Sequence, residues 1–367
     1  MGSEERRKEL NGDPGWEVRR YREGDETGIN ELFRRVFLRE RSPEEWDWKF
    51  KAGPMGRLRF IHLACDRERI VGQMAGLPTK FLCHGRLVLA VQPVDNMLDP
   101  EYRGGLGKSR MQRALFQDGE SAARESGVAL GYGFPNPEAY RVGTRLLGYA
   151  DLGAIAVRQR SLTWARHARK LTGNGWAAAG VGRIHSRVQR HALRPRVPLP
   201  PGAAVRQAEC FDARFDRLWE QASASFGMLA VRDRRFLNWR YRERPGARYT
   251  VLTLERADNL LGYAVLASRG GEVRTGFVAD LLCLPGEGLA EPLLAASILH
   301  FLEQGLDLAE CWSLPGGRYE EPIRRYFPRQ LAEPVRAVIK IYEGAVDRQE
   351  AANISNWHIT MGDSDGV

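Results

Sequence analysis

Apolar positions along this chain come in short runs, and their spacing sorts the runs into strands and helices. Trp16 to Tyr21 alternates apolar with polar residues and predicts a strand. Ile29, Leu32, Phe33, Val36 and Phe37 share one face of a helix that Asp25 is placed to cap. Strands are predicted at Phe60–Cys65, Ile70–Leu77 and Leu87–Leu98, broken by Asp66-Arg67-Glu68-Arg69 and by His84-Gly85-Arg86. Residues Ser109–Arg124 form a helix with Met111, Ala114, Leu115 and Ala122 inward. A strand at Val128–Phe134, a short helix at Glu138–Leu147 and a strand at Ile155–Trp164 follow. The prolines from Pro195 to Pro201 cannot continue a helix and predict a linker. Beyond them Ala203–Gln207 is strand-like and Phe211–Ala224 helical.

The pattern then repeats itself. Trp48-Lys49-Phe50 is followed by Pro54, and Trp239-Arg240-Tyr241 by Pro245 at the same offset; each leads into an apolar strand and a glycine, Gly72 or Gly262. Asp95 precedes Pro100 by the same interval as Asp280 precedes Pro285. Phe134-Pro135 opens a helix that ends at Gly148-Tyr149, and Leu314-Pro315 opens one that ends at Tyr326-Phe327. Three ordered anchors predict one fold used twice. The expected divisions are a disordered residue range 1–13, a first domain at 14–165, a basic connector and proline-rich linker at 166–202, a second domain at 203–345 and a tail at 346–367.

Composition narrows the class. With 367 residues, 43% hydrophobic and 28% charged, the chain can bury its own core. Its longest apolar run, Leu293–Leu302, contains His300 and is about half the ~20 residues that span a bilayer. The charged start has no apolar stretch behind it and does not read as a signal peptide. Cys65, Cys83, Cys210, Cys283 and Cys311 have no zinc or redox spacing, and all but Cys210 sit in apolar runs. Buried free thiols, a cytoplasmic location and no metal are therefore expected. These features exclude a membrane-spanning protein, a disulfide scaffold, a collagen and a disordered chain.

The net charge is +9, and it is concentrated. Eleven Lys or Arg and no acid lie between Leu152 and Ala208, so the rest of the chain is slightly acidic. One basic segment suggests something local, an anionic ligand, an acidic partner surface or lipid headgroups, rather than a nucleic-acid-binding protein. Residues 166–196 are too poor in Leu and Val for a core of their own and predict a helical surface connector.

Candidate chemistry gathers in Pro100-Glu101-Tyr102-Arg103-Gly104-Gly105-Leu106-Gly107-Lys108-Ser109, between a strand and a helix. Glycines bring backbone amides close to a ligand, and a helix start adds partial positive charge, so this is an anion site. The end imitates a nucleotide P-loop, but Tyr102 stands where the first Gly belongs and the repeated strand-helix units are missing, which argues against ATP or GTP.

The element order and this loop resemble the GNAT (GCN5-related N-acetyltransferase) superfamily, in the two-domain bacterial form. Its loop [Gln/Arg]-x-x-Gly-x-[Gly/Ala] wraps the pyrophosphate of coenzyme A. Counting back from Gly105-Leu106-Gly107 puts Tyr102 in the Gln/Arg slot, and counting forward from Pro100 puts Arg103 there. Phe134-Pro135-Asn136-Pro137-Glu138-Ala139 is similar to the superfamily's Asn-x-x-Ala, and Leu147-Gly148-Tyr149 to its Gly-Phe close. The Trp48, Trp239 and Asn356–Asp365 segments also look like those of two-domain members. The resemblance implies an α/β (α+β) fold of two tandem GNAT-like domains, each a mixed, mostly antiparallel sheet flanked by helices. It implies an acetyl-CoA or other acyl-CoA co-substrate held by Met97, Leu98, Arg103, Gly104, Gly105, Leu106, Gly107, Lys108, Ser109 and Asn136. In the second copy Glu287, Glu291 and Pro292 replace the basic cradle, so only the first half is expected to bind coenzyme A.

The implied reaction is acyl transfer to the amine of a small molecule, such as an amino sugar or amino acid, by direct attack. The oxyanion donor would be a backbone amide near Asn96–Leu98. Asp95 and Asp99 are the candidate bases, with Glu101 solvated, and the repeat partner Asp280 allows a structural role for Asp95. The superfamily's acid Tyr is replaced at its slot by Gly143 or Thr144, and Tyr140, a turn earlier, is the candidate acid. His62 and His84 are expected at strand surfaces or edges, and Trp46, Trp48 and Trp239 in the core rather than around an acceptor. Two other readings remain: a transferase fed by an acyl-carrier protein or aminoacyl-tRNA, and a non-catalytic ligand-binding relative.

Overall fold

The computed structural model describes residues 15–56, 58–103, 105–164, 175–193, 199–286, 288–342 and 346–366. Its first half runs β1 (Glu17–Arg20), α1 (Glu26–Phe37), α2 (Pro43–Phe50), β2 (Phe60–Asp66), β3 (Arg69–Cys83), β4 (Arg86–Leu98), α3 (Gly105–Glu125), β5 (Val128–Gly133), α4 (Pro137–Leu146) and β6 (Ala150–Ser161). Helix α5 (Gly175–Leu193) follows. The second half runs β7 (Ala203–Ala208), α6 (Ala213–Ser223), β8 (Met228–Ala230), α7 (Arg234–Tyr241), β9 (Thr250–Arg256), β10 (Asn259–Arg269), β11 (Thr275–Cys283), α8 (Ala290–Glu303), β12 (Leu308–Ser313), α9 (Glu320–Tyr326), β13 (Arg329–Gln330) and β14 (Val335–Ile341). A closing segment carries α10 (Arg348–Ala352) and β15 (Trp357–His358).

The fold is mixed α/β, with a large, mostly antiparallel sheet flanked by helices. In each half three strands meander antiparallel, a helix crosses over, and a fourth strand returns parallel to the third: β5 on β4, and β12 on β11. A parallel return needs such a crossover, which α3 and α8 supply. The last strands are exchanged. β14 lies between β5 and β6, antiparallel to both, and β6 continues onto β12. The two halves thereby become one sheet.

The repeat has a physical centre. Trp48 and Trp239 stack at 5.2 Å between ring centroids, and each indole N–H donates to the other's backbone carbonyl, at 2.7 and 2.9 Å. Both are buried, as are Trp46 and Phe50, so these aromatic segments are core. Seven residues before each Trp stands a buried Arg that reaches an Asp on the third strand: Arg41 to Asp95 at 2.6 Å, and Arg232 to Asp280 at 3.1 Å. Asp95 and Asp280 thus occupy corresponding strands, as the matched anchors predict.

Several local expectations change. Asp25 sits at the cap position of α1, but its carboxylate is taken by Arg19 and the Arg22 amide rather than by the helix. His62 is buried, with Nδ1 2.6 Å from Asp118 on α3, because α3 covers β2. The segment expected as a tail is largely internal: Trp357, Ile359 and Met361 are buried, and β15 pairs with β8. Cys65, Cys83, Cys283 and Cys311 are buried and Cys210 is exposed. Of the basic connector, 175–193 is a helix; 165–174 and 194–198, like 1–14, lie outside the described residues.

Candidate active site

The site begins where two strands part. β4 and β5 pair only from Leu89–Val128 to Val91–Gly131. Beyond that β4 carries a bulge: Gln73 pairs with Met97 but Ala75 with Val94, so β3 has one residue where β4 has two. Such a bulge bends a strand and frees its edge. Asp95 sits in it with φ +47°, a left-handed conformation that Asp tolerates better than most residues. The Asp99 amide bonds Val71 O on β3, and the Leu98 carbonyl accepts from Arg103 Nε at 2.9 Å. Strand alternation therefore turns the Leu98 N–H away from β3, toward the gap.

The gap is a cavity of about 500 Å³. Val94–Leu98 form one wall and Gly133–Asn136 the other, with Leu115 and Phe116 of α3 and the buried Tyr149 at its base. Arg103 lines it. Helix α3 begins at Gly105, earlier than the predicted Ser109, so Gly105, Leu106, Gly107 and Lys108 form its first turn. Their amides have no partner within the helix and carry its positive end. Gly104 lies outside the described residues, and for Gly105–Ser109 the backbone alone is described. The Tyr102 hydroxyl is bonded to Asp66.

A second cavity, of about 840 Å³, adjoins the first, and both are lined by Phe37, Pro93–Asp95 and Phe134–Asn136. It adds the rings of Phe33, Tyr140 and Trp312, three arginines (Arg39, Arg141, Arg336) and the carboxylate of Asp365. Asn136 caps α4 at the junction, its Oδ1 accepting from the Ala139 amide at 2.9 Å.

The three predicted acid–base residues are not brought together as equals. Both oxygens of Asp95 are engaged, one by Arg41 and one by Lys49 at 2.9 Å. Asp99 is 1% exposed and caps the following turn. Burial works against its charge, but the Glu101 amide and the guanidinium groups of Arg35 and Arg69 outweigh that and hold the carboxyl below its usual range. A carboxylate tied this firmly gains little from taking up a proton. Tyr140 lines the larger cavity only; desolvation and Asp151 push its phenol up, against the pull of Arg336. Asp365 went unnoticed as a site residue. Its Oδ2 is 2.6 Å from Lys49 Nζ, its side chain is 39% exposed, and it lines the larger cavity. Arg39 and Arg336 were missed as well, because their approach to the site depends on the fold. The repeated arginine seven residues before each tryptophan was a readable signal for Arg41 and Arg232.

The corresponding gap in the second half is closed. β11 and β12 pair only to Val278–Cys311 and then part, but the space left is about 30 Å³. Trp357–Met361 fill it, under Arg318 and Tyr319. Among the described residues no His, Cys, Asp and Glu group could hold a metal ion, and no helix is long and apolar enough to cross a membrane.

Residues 17–149 match the family model of the acetyltransferase (GNAT) domain. No curated protein matches the chain. Among solved structures, a conserved Enterococcus faecalis V583 protein described as a probable N-acyltransferase is similar at TM-score 0.61 and 15% identity, over 89% of this chain and 72% of that one. A GCN5-related N-acetyltransferase from Anabaena variabilis is similar at 0.60 and 12%, over 89% and 73%. Saccharomyces cerevisiae N-myristoyltransferase with bound myristoyl-CoA is similar at 0.59 and 10%, over 90% and 84%. At such identities the likeness is one of fold.

Proposed function

We propose that this chain, whose residues 17–149 match the acetyltransferase (GNAT) domain model, is an acyltransferase that moves an acyl group from an acyl-coenzyme A thioester to the amine of a small acceptor that also bears an anionic group. The observation that carries this reading is the meeting of two cavities at the bulge of β4. One has a helix N-terminus and Arg103 at hand, which suits a pyrophosphate. The other has aromatic walls, three arginines and a carboxylate, which suits an amine carrying a carboxylate or phosphate. The co-substrate would lie along Met97 and Leu98, with its phosphates at Arg103 to Ser109 and Asn136 at the junction. The active unit is then the first domain, 14–165, with 203–345 as a degenerate copy.

In this reading the acceptor nitrogen attacks the thioester carbonyl carbon directly. The oxyanion that forms takes a hydrogen bond from the Leu98 amide, a fixed dipole that needs no reorganisation. The nitrogen's proton passes to Asp365, while Asp95 holds Arg41 and Lys49 in place. Collapse breaks the C–S bond. An alkyl thiol has a pKa of about 8.5, so the leaving thiolate takes its proton from water without an obligatory acid. Tyr140 then orients the acceptor rather than protonating sulfur.

Release of free thiol, followed with acetyl-CoA and longer acyl-CoA donors, tests this against matched amines with and without a carboxylate or phosphate. The anionic member of each pair is expected to react at least tenfold faster. Equal rates would remove the acceptor assignment, and a calorimetric titration with no coenzyme A binding would remove the donor assignment.

A further inference from the structure

Helix α5 is mounted with its apolar side outward. Gly182, Ser186, Gln189 and Leu193 recur at helical spacing and form the face turned to the protein. Ser186 Oγ donates to Leu162 O at 3.1 Å, and Gln189 Nε2 donates to Ser161 O at 2.9 Å. Arg160 Nε returns a bond to Gln189 Oε1 at 3.0 Å, and Leu193 packs on the second-half core. The inward face is thus mostly small or polar and is satisfied. Val181, Ile184 and Val188 recur at three and four residues on the other side, and they are 40%, 65% and 60% exposed. Trp176, in the first turn, is 87% exposed. An ordinary surface helix shows the reverse arrangement.

The helix itself carries charge of one sign beside this stripe. Arg183 and Arg187 are exposed beside it, within the stretch from Leu152 to Ala208 that has eleven Lys or Arg and no acid. A second copy of the same surface would meet that charge with its own. A nucleic acid would satisfy the arginines but leave three aliphatic side chains against phosphate and water. A lipid surface with anionic headgroups satisfies both features, because aliphatic side chains enter the acyl boundary while arginines remain at headgroup level. We propose that the outward face of α5, built on Val181, Ile184, Val188, Arg183 and Arg187, docks the protein on an anionic membrane surface. The helix lies in the interface and does not span it.

Co-sedimentation of the full chain with phosphatidylcholine vesicles, with and without about a third phosphatidylglycerol, tests this. Binding is expected to be at least tenfold stronger on the anionic vesicles and to weaken as salt rises. The triple variant Val181→Ser, Ile184→Ser, Val188→Ser should lose at least tenfold, and Arg183→Gln with Arg187→Gln should lose binding and salt dependence together. All five side chains point outward, so unchanged melting temperatures verify that the variants fold. Equal binding to both vesicle types, or no binding to either, would overturn the proposal. So would a triple variant that binds vesicles normally but changes from dimer to monomer. Retained filter binding of RNA by the triple variant, without vesicle binding by the parent, would assign the basic face to nucleic acid instead.

Discussion

The clefts of the two halves start alike and end differently. In each, a parallel pair splits beside an aspartate held by a buried arginine, at Val91 in the first half and Val278 in the second. In the first the split opens into about 500 Å³; in the second about 30 Å³ remains, filled by the chain's own Trp357–Met361. The filling segment is tied down where the open cleft is free. Arg232 bridges Asp280 and Asp363, Thr360 and Asp363 cap each other, and a Cβ at Gly362 would stand 1.9 Å from the Tyr241 hydroxyl. The same segment then reaches the first half: Gln92 Nε2 donates to Asp363 O at 2.7 Å, and Asp365 meets Lys49. One cleft is thus open, and the segment that fills the other carries a carboxylate to it.

The sharpest way to break this comparison is to cut the corresponding ion pairs. Arg232 is fully buried and serves two acids, whose attraction outweighs burial and holds its pKa well above the usual range. Arg232→Met leaves both acids without it and should cost about 3–5 kcal/mol in urea unfolding. Arg41→Met leaves Asp95 with Lys49 and should cost about half as much, ~2 kcal/mol. Equal costs would mean that the two frames bear the same load.

A smaller effect tests the shared centre. Trp48→Phe and Trp239→Phe each orphan a buried carbonyl on the other half and should each cost about 1–2 kcal/mol. The double variant should cost clearly less than the sum, because the two bonds and the stack are one unit. Additive costs would mean that the pairing is incidental.

The least drastic test uses pH. Burial first, then Arg232, holds His358 well below the usual imidazole range. Its unfolded value is about 6.5, so between that and its folded value the unfolded chain binds the extra proton. The contribution of neutral His358, in the Trp357–Met361 plug of the second cleft, is therefore complete above about pH 6.5 and is lost as pH falls below it. The melting temperature should drop from pH 7 to pH 5, and less so in His358→Gln. A drop of the same size in the variant would assign the acid sensitivity elsewhere, first to His62, whose pKa burial also lowers.

The repeat was legible because its anchors are local: a tryptophan with a proline six residues on, and an aspartate with a proline five residues on, keep their spacing whatever surrounds them. The exchange of β6 and β14 was not legible. An alternating strand states which face is apolar but not which neighbour it will pair with. The plug was hidden by its composition, since Thr360, Gly362, Asp363 and Ser364 look like a surface tail. They are buried because each polar group is matched, Ser364 Oγ to Met361 O and Asp363 to Arg232. At the site, the glycine-rich helix start and the strand before it could be read directly. The engagement of Asp95 could not, because Arg41 and Lys49 come from a helix and its approach about fifty residues away.

The central claim, one open cleft and one closed, is tested most directly by titrating coenzyme A into the full chain in a calorimeter, beside Gly107→Asp and Gly288→Asp. The parent should bind one equivalent. Gly107→Asp puts a carboxylate in the first turn of α3, where a pyrophosphate would sit, and should abolish binding. Gly288 is exposed with φ +75° and open space around it, a conformation Asp can enter, so Gly288→Asp should keep affinity within about threefold. Loss of binding in Gly288→Asp with retention in Gly107→Asp, or two equivalents bound by the parent, would contradict the account.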